Sequence, residues 1–294
     1  MSREAAELGG RGAGSPGRRG PGGRGSERRE SGAPGAGRPA SREAEAQGHR
    51  GPGTPGAREP GHRGARGPGD NRGMATDLHE LLRSLRVWDP EVTRLPPFDP
   101  EAAPATPLEL FTEWFAAVVA AGQSEPHTMS LATSDEAGLP DVRIVMLHGA
   151  DEAGWSFASH AGSRKGRHLS ARPYAALCFY WPVLGRQVRV RGTVTAAPSA
   201  DAQGDLHARS TGALAAALTG RQSEVLGSVA ELAQASQAAW ERAAREPETS
   251  VPSWTLYRLR AEEVEFFQGD EARRHVRLRY RRAEDGWTRE LLWP

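Results

Sequence analysis

A short basic segment, residues 159–167, is the best candidate for binding an anionic ligand such as a phosphate. It reads Ser-His-Ala-Gly-Ser-Arg-Lys-Gly-Arg and joins a predicted strand to a predicted helix. With Ser163 as the helix N-cap, free backbone N–H groups would face an anion, and Arg164 and Lys165 would add positive charge. The alternative is an ordinary exposed helix start, but basic side chains oppose the helix macrodipole at that end. We therefore interpret this segment as an anion site.

Other polar residues could help to hold such a ligand, although none is informative alone. Arg143 and Arg277 each lie in the middle of a predicted strand, where a solvent-facing arginine is the alternative. Gln187 and the pair Gln222 and Ser223 could contact a polar ring, or could simply lie in surface loops. The Gly-x-Gly matches near the N-terminus lack a strand before and a helix after them, so they predict no phosphate-binding loop. Cationic side chains would have to bind the phosphate instead.

The sequence does not indicate a catalytic role for the single cysteine. Cys178 lies in the apolar run 175–181, so a small buried hydrophobic side chain is a better interpretation than a nucleophile. One cysteine excludes an internal disulfide and a cysteine-rich zinc site. We predict no bound metal.

Residues 1–73 have a composition unlike the rest of the chain. They are mostly Gly, Pro, Arg, Ala, Ser and Glu, with no aromatic residue. Such a segment cannot bury enough apolar surface to offset the entropy of ordering it, so we predict a disordered tail. Its Arg-Gly pairs could bind RNA by charge, or the tail could be an inert extension. We hypothesise that the functional chain starts at Met74, where ordinary globular composition begins.

Charge and hydropathy narrow the class of protein. The net charge of +1 over 294 residues is too small to argue for binding to nucleic acid or to a membrane. No stretch is long and apolar enough to span a bilayer, and the N-terminus lacks the apolar core of a signal peptide. We expect a soluble, cytoplasmic protein that acts on a small molecule.

Hydrophobic periodicity predicts five helices. The second has the strongest signals, because Thr106 can cap it, Pro107 suits its first position and Glu109 lies three residues after the cap. The predicted helices cover residues 77–87, 107–121, 163–171, 201–218 and 223–245.

Short runs with turn residues between them predict nine strands. The acidic turns at 135–138 and 151–154 end in glycine and indicate an antiparallel meander. The strands cover residues 128–133, 141–147, 155–159, 174–181, 187–196, 253–260, 263–268, 274–281 and 288–292. We predict a mainly β fold with helices outside it, forming a closed or partly open antiparallel barrel. After the tail, residues 74–105 would form a helix and an extended connector, and residues 106–294 the barrel domain.

Six segments, taken together, resemble the successive signatures of the pyridoxamine 5'-phosphate oxidase family. They lie at residues 143–147, 162–165, 186–188, 221–223, 265–269 and 273–277, and read Arg-Ile-Val-Met-Leu, Gly-Ser-Arg-Lys, Arg-Gln-Val, Arg-Gln-Ser, Glu-Phe-Phe-Gln-Gly and Arg-Arg-His-Val-Arg. Each segment is weak evidence alone, but together they match the family in order and in spacing over residues 107–294. The resemblance implies an FMN-binding split β-barrel and a homodimer with FMN at the interface.

The resemblance also implies roles for individual residues. Arg164 and Lys165 would bind the FMN phosphate, with Ser159 in support. Arg273 and His275 would lie over the substrate as the catalytic pair, and His148 and Arg209 would also bind it. The full implied FMN set is Arg143, Ile144, Val145, Met146, Leu147, His148, Ser159, Arg164, Lys165, Gln187, Gln222, Ser223, Phe267 and Arg277.

Departures from the family pattern concentrate at the positions implied to bind the substrate phosphate. His148 replaces a lysine, Asp205 a tyrosine and Ala213 a serine, whereas Arg209 is retained. An aspartate beside a phosphate is electrostatically unfavourable, and histidine is only partly charged near neutrality. Residues 159–167 also resemble the related flavin oxidases of phenazine biosynthesis.

The resemblance implies oxidation of pyridoxamine or pyridoxine 5'-phosphate to pyridoxal 5'-phosphate, with O2 reduced to H2O2. Two alternatives remain open beside it. One is a related flavin oxidase that acts on a reduced phenazine-like or other aromatic substrate. The other is a split-barrel protein that binds flavin without catalysis.

Overall fold

A computed structural model describes residues 77–294. The predictions of a disordered tail over residues 1–73 and of a start at Met74 lie outside the described residues. Within them, no helix is long and apolar enough to cross a membrane.

In the part of the chain that the structure describes, six helices and one short 3₁₀ turn, Pro182–Leu184, accompany the strands. The capping box predicted at Thr106 and Glu109 is present, and Pro107 begins the second helix. The helices are α1 Leu78–Ser84, α2 Pro107–Ala120, α3 Arg164–Ala171, α4 Ser199–His207, α5 Thr211–Thr219 and α6 Val229–Arg245.

The described residues contain nine strands: β1 Thr128–Ser134, β2 Pro140–Met146, β3 Gly149–Asp151, β4 Gly154–His160, β5 Tyr174–Trp181, β6 Arg186–Ala196, β7 Trp254–Gln268, β8 Val276–Ala283 and β9 Gly286–Leu292. They form one antiparallel sheet in the order β2-β1-β5-β6-β7-β4-β3, and β8 joins β7 to β9. The predicted antiparallel arrangement is therefore confirmed.

The long strand β7 makes the sheet curl. Its first part, residues 254–259, pairs with β4, and its last part, residues 263–268, pairs with β8, while β6 follows it along both parts. The register between β6 and β7 shifts at Arg191 and Gly192. A Cβ atom at Gly192 would lie 1.9 Å from the carbonyl oxygen of Arg260. Glycine is therefore needed at this bend, where the two backbones approach closely.

The main core lies inside the curl and is closed on one side by α2. Leu110, Trp114 and Val118 of α2 are buried against the sheet. In β6 the valines 188, 190 and 194 are buried and the intervening residues are more exposed, as the predicted alternation requires. A smaller cluster joins α4, α5 and α6 beside the barrel.

Four predicted elements, two helices and two strands, were wrong in detail. The single helix predicted over residues 201–218 is two helices, because Ser210 caps α5 by accepting a hydrogen bond from the Ala213 backbone. The next helix begins at Val229 rather than near 223, because Ser228 supplies its cap and Ser223 has a positive φ of 78°. The strands predicted at 253–260 and 263–268 are one continuous strand, β7. The short strand β3 was not predicted.

Candidate functional site

A cavity of about 760 Å³ lies where β2 and β4 meet the helices. Its size is typical of sites for cofactors and small molecules. Of the residues implied to bind FMN or substrate, the structure brings eleven to its wall: Arg143, Ile144, Val145, Met146, His148, Ser159, Arg164, Lys165, Arg209, Gln222 and Ser223. Leu147, from the same segment, packs against the core instead.

Lys165 is the most deeply placed cation of the cavity, with only 9% of its surface exposed. Its Nζ donates hydrogen bonds to Ser159 Oγ at 3.1 Å and to Gln222 Oε1 at 2.9 Å, and both partners are neutral. Burial, together with the charge of Arg143, lowers the pKa of Lys165 below its ordinary value. An anion bound beside this ammonium group would relieve that cost.

The start of α3 holds Lys165 in position. Ser163 caps the helix by accepting from the Gly166 backbone N–H at 3.2 Å, as predicted. A Cβ atom at Gly166 would come within 2.2 Å of the Ala161 carbonyl oxygen, so only glycine allows the helix to pack this closely. The Arg164 backbone N–H donates to Ser223 Oγ at 3.1 Å, which ties the loop after α5 to the same helix start.

Arg143 adds a second, anchored cation to the cavity. Its Nη1 donates to the Leu131 carbonyl at 3.0 Å and to Thr133 Oγ1 at 2.7 Å, and its Nη2 donates to Asp141 at 2.7 Å. Asp141 is the one carboxylate among the lining residues, and it lies 3.9 Å from Arg164. We call Arg143, Arg164 and Lys165 the cationic cradle. Their combined positive charge exceeds the single negative charge of Asp141.

The opposite end of the cavity has a different charge arrangement. His148 and Arg209 line it, and Asp205 lies behind both. Asp205 contacts His148 Nδ1 at 2.9 Å and accepts from Arg209 Nε at 3.2 Å and Nη2 at 3.1 Å. Burial lowers the pKa of His148, and the nearby Asp205 only partly offsets this effect. Burial alone would raise the pKa of Asp205, but Arg209 and His148 hold it below its ordinary value.

The remaining candidate residues lie elsewhere in the chain. Gln187, Phe267 and Arg277 are opposite one another on β6, β7 and β8 and form one row across the sheet. Arg277 donates to Glu265 at 2.8 Å and to the Trp293 carbonyl at 2.8 Å.

The two residues that the resemblance implies to lie over the substrate are beside that row. Arg273 and His275, with Arg277, line a second cavity of about 560 Å³ near the C-terminus. The His275 ring lies 5.2 Å from the Phe267 ring. We call Gln187, Phe267, Arg273, His275 and Arg277 the C-terminal group.

The structure does not bring all four implied FMN-binding cations together within one chain. Arg143, Arg164 and Lys165 share the first cavity, but Arg277 lies with the second, and no described residue lines both cavities. Arg277 lies on β8 and forms an ion pair with Glu265, which is itself 5% exposed.

Sequence reasoning missed two contributors to these sites. Trp88 packs its ring 5.1 Å from His275, edge to face, and the Arg273 guanidinium lies 5.9 Å above it. Nothing in the connector sequence signals this contact. Asp141 was also missed, although its position two residues before Arg143 in a strand places both side chains on one face.

Comparisons with known proteins agree with the geometry. A family described as pyridoxamine 5'-phosphate oxidase matches residues 115–268. A second, described as the pyridoxine 5'-phosphate oxidase C-terminal dimerisation region, matches residues 254–294.

Curated relatives are similar over most of the described part. A pyridoxine/pyridoxamine 5'-phosphate oxidase of Ectopseudomonas mendocina is 41% identical over 194 residues, which cover 65% of this chain and 90% of the relative. The enzyme of the same name from Salinibacter ruber is 42% identical over 191 residues, covering 64% of this chain and 89% of the relative.

Solved structures support the fold. PhzG from Burkholderia lata, in complex with tetrahydrophenazine-1-carboxylic acid, has a TM-score of 0.63 and 26% identity, covering 69% of this chain and all of PhzG (100%). An FMN-binding protein of Nostoc punctiforme, related to pyridoxamine 5'-phosphate oxidase, has a TM-score of 0.51 and 21% identity, covering 62% of this chain and 97% of its own. The predicted split barrel is therefore confirmed. From the family match, the identity to curated relatives and the shared fold, we conclude that this chain belongs to the pyridoxamine 5'-phosphate oxidase family.

Proposed function

We propose that the chain is an FMN-dependent oxidase that converts pyridoxamine or pyridoxine 5'-phosphate to pyridoxal 5'-phosphate, with O2 reduced to H2O2. The observation that carries this proposal is the buried Lys165, which has neutral partners and lies in a cavity with two further cations. The identity of 41% to an enzyme named for this activity supports the substrate class.

The cavity residues fit FMN. Arg143, Arg164 and Lys165 supply more positive charge than Asp141 balances, as a phosphate group requires. The indole N–H of Trp254, which also lines the cavity, is buried and has no hydrogen-bond partner in the described residues. Both features favour a polar, anionic occupant. When bound, FMN supplies the redox chemistry, namely hydride acceptance and reoxidation by O2.

A homodimer would complete the site. The matched dimerisation region, residues 254–294, includes Phe267, Arg273, His275 and Arg277. In the cavity wall, β2 exposes Val142, Ile144 and Met146, whose exposed fractions are 63%, 65% and 51%. Such an apolar strand face favours contact with another protein surface. In this proposal, a second copy places its C-terminal group against the cationic cradle of the first.

Arg273 and His275 then position the substrate. A guanidinium and an imidazole over the substrate ring can hold the ring by hydrogen bonds and orient the carbon that loses the hydride. The Asp270 backbone N–H donates to His275 Nδ1 at 3.1 Å, so in the neutral ring Nε2 carries the proton and can donate to the substrate. Trp88 packs against both side chains and limits their motion.

A second candidate is oxidation of a reduced phenazine-like aromatic substrate. Two observations favour it. PhzG, whose structure contains a tetrahydrophenazine carboxylic acid, shares the fold at a TM-score of 0.63. Arg209, at the end of the cavity away from Lys165, is already paired with Asp205.

An absorbance spectrum followed by anaerobic titration tests the proposal. We expect purified protein to show a flavin spectrum, and pyridoxine 5'-phosphate to bleach it. Admitting air should restore the colour and produce one H2O2 per turnover at an oxygen electrode. A flavoprotein that is bleached only by a dihydrophenazine would favour the second candidate. A protein with no flavin, or one bleached by neither compound, would contradict both.

A further inference from the structure

At the end of the cavity that His148 and Arg209 line, Arg209 is held in an internal ion pair. Arg209 offers Nε and one Nη2 hydrogen to the two oxygens of Asp205, which is a bidentate arrangement. The Asp205 side chain is only 17% exposed and that of His148 only 8%, so solvent screens these contacts weakly. The preferred partner of Arg209 is therefore already provided by this chain.

His148 strengthens the same conclusion. Its Nδ1 lies 2.9 Å from the Asp205 carboxylate, so in the neutral ring this nitrogen carries the proton and donates it. The other nitrogen, Nε2, is then an acceptor. An acceptor repels phosphate oxygens but can receive a hydrogen bond from a hydroxyl group.

Ala213 supplies no further anion contact from its side chain. It has only a methyl group, and its backbone N–H is already bonded to Ser210, to Oγ at 3.3 Å and to the carbonyl at 2.9 Å. A phosphate dianion at this end would meet a paired guanidinium, a neutral imidazole and a carboxylate. The like charges of phosphate and Asp205 would cancel most of the attraction to Arg209.

We propose that Asp205 sets the substrate range of this oxidase. By pairing with Arg209 and orienting His148, it makes the cavity accept a substrate with an uncharged hydroxyl at this end about as well as the corresponding phosphate ester. The inference rests on the proposed function, since it concerns the substrate of that same site. It adds a substrate class, unphosphorylated hydroxymethyl heteroaromatics.

Binding of two matched, non-oxidisable ligands tests this proposal without turnover. The ligands are 4-deoxypyridoxine and its 5'-phosphate, and dissociation constants are measured by calorimetry on FMN-loaded protein. For the wild type we expect the two constants to agree within about threefold, which is under 1 kcal/mol of discrimination. Asp205→Asn keeps an acceptor for Arg209 but removes the charge, so it should tighten binding of the phosphate by about tenfold or more. Its affinity for the unphosphorylated ligand should stay within about threefold.

Asp201→Asn is the matched control, because Asp201 lies one turn earlier on α4, pairs with Arg258 and does not line the cavity. It should leave both constants unchanged. A wild type that binds the phosphate more than about tenfold tighter than the alcohol would overturn the proposal, and this result needs no variant to fold. Weaker phosphate binding in Asp205→Asn, or no binding of either ligand, would also overturn it.

Failure of the proposed function gives a separate signature. FMN content and bleaching by an oxidisable substrate report on the oxidase activity. The ratio of the two dissociation constants reports only on the Asp205 end. A protein that is bleached by pyridoxine 5'-phosphate but strongly prefers the phosphorylated ligand would support the oxidase and refute the role of Asp205.

Discussion

The cationic cradle and the C-terminal group are built in different ways. Lys165 and Arg143 are fixed by hydrogen bonds to Ser159, Gln222 and Thr133, all within one chain. In the C-terminal group, Arg273 has a φ of +64°, an uncommon conformation for a side chain-bearing residue, and contacts the ring of Trp88. Under the proposed function, the cationic cradle is preformed by hydrogen bonds within one chain, whereas the C-terminal group would reach the cavity from a second copy.

Arg273→Ala should have the largest effect. If Arg273 orients the substrate for hydride transfer, its loss should lower kcat by about 10²-fold or more while FMN stays bound. Stopped-flow measurement of anaerobic flavin bleaching reports this step directly. Arg281→Ala, an exposed arginine on β8, is the control and should bleach at the wild-type rate. Loss of FMN from Arg273→Ala would place this residue in cofactor binding instead.

Lys165→Met, in the cationic cradle, should weaken FMN binding. Removing a charged hydrogen-bond donor costs about 1.5–3 kcal/mol, so FMN should dissociate roughly 10–150-fold more readily. Fluorescence titration of apoprotein with FMN measures this constant. Arg167→Gln changes a basic residue on the same helix that does not line the cavity, and its affinity should match the wild type. Equal losses in both variants would show that general charge, rather than the cradle, holds the flavin.

The pH dependence of FMN binding tests whether the charged form of Lys165 holds the cofactor. Its pKa is lowered by burial and by Arg143, so the ammonium loses its proton at a lower pH than an ordinary lysine does. FMN prefers the charged form, and its affinity should therefore fall as pH rises through that pKa. Lys165→Arg, which stays charged, should move the fall to higher pH. An affinity that is flat on the alkaline side in the wild type would contradict this assignment.

The smallest expected effects are on the free energy of unfolding, and they should differ between Asp205→Asn and Lys165→Met. Asp205→Asn removes charged hydrogen bonds made within the chain and should lower the free energy of unfolding by about 1–3 kcal/mol at neutral pH. Because the folded pKa of Asp205 is depressed, this stabilisation exists above its unfolded pKa and disappears as pH falls through the folded value. Lys165→Met removes a desolvated charge, so the apoprotein should be no less stable than the wild type. Urea unfolding at several pH values measures both.

Local sequence signals predicted the cradle better than they predicted the C-terminal group. The cap at Ser163 and the alternation of β6 depend on near neighbours in the chain, and both are present. The break before Thr211 was missed because Ala-rich sequence on both sides hides the cap at Ser210. The ion pair of Arg277 with Glu265 joins two strands, and the packing of Trp88 on His275 joins residues far apart in sequence. No local pattern reports such contacts.

The role of Asp205 illustrates the same limit. Sequence reasoning identified an aspartate at an unfavourable position for phosphate binding. It could not show that Arg209, four residues later, and His148, on a distant loop, would both turn toward that carboxylate. The spacing of Asp205 and Arg209 on a helix made one of these pairs foreseeable. The contact with His148 depends on how the loop after β2 packs against α4.

Complementation between two impaired variants, at an FMN concentration too low to load Lys165→Met, tests most directly whether each site is shared between two chains. Lys165→Met and Arg273→Ala proteins are each purified, then mixed, unfolded and refolded with FMN. In a mixed dimer, one site combines the intact cradle of one protomer with the intact Arg273 of its partner. Because half of the dimers formed at random are mixed, and each has one complete site, activity should return to about one quarter of the wild-type value. Activity no higher than that of the separate variants, although mixed dimers have formed, would contradict the account.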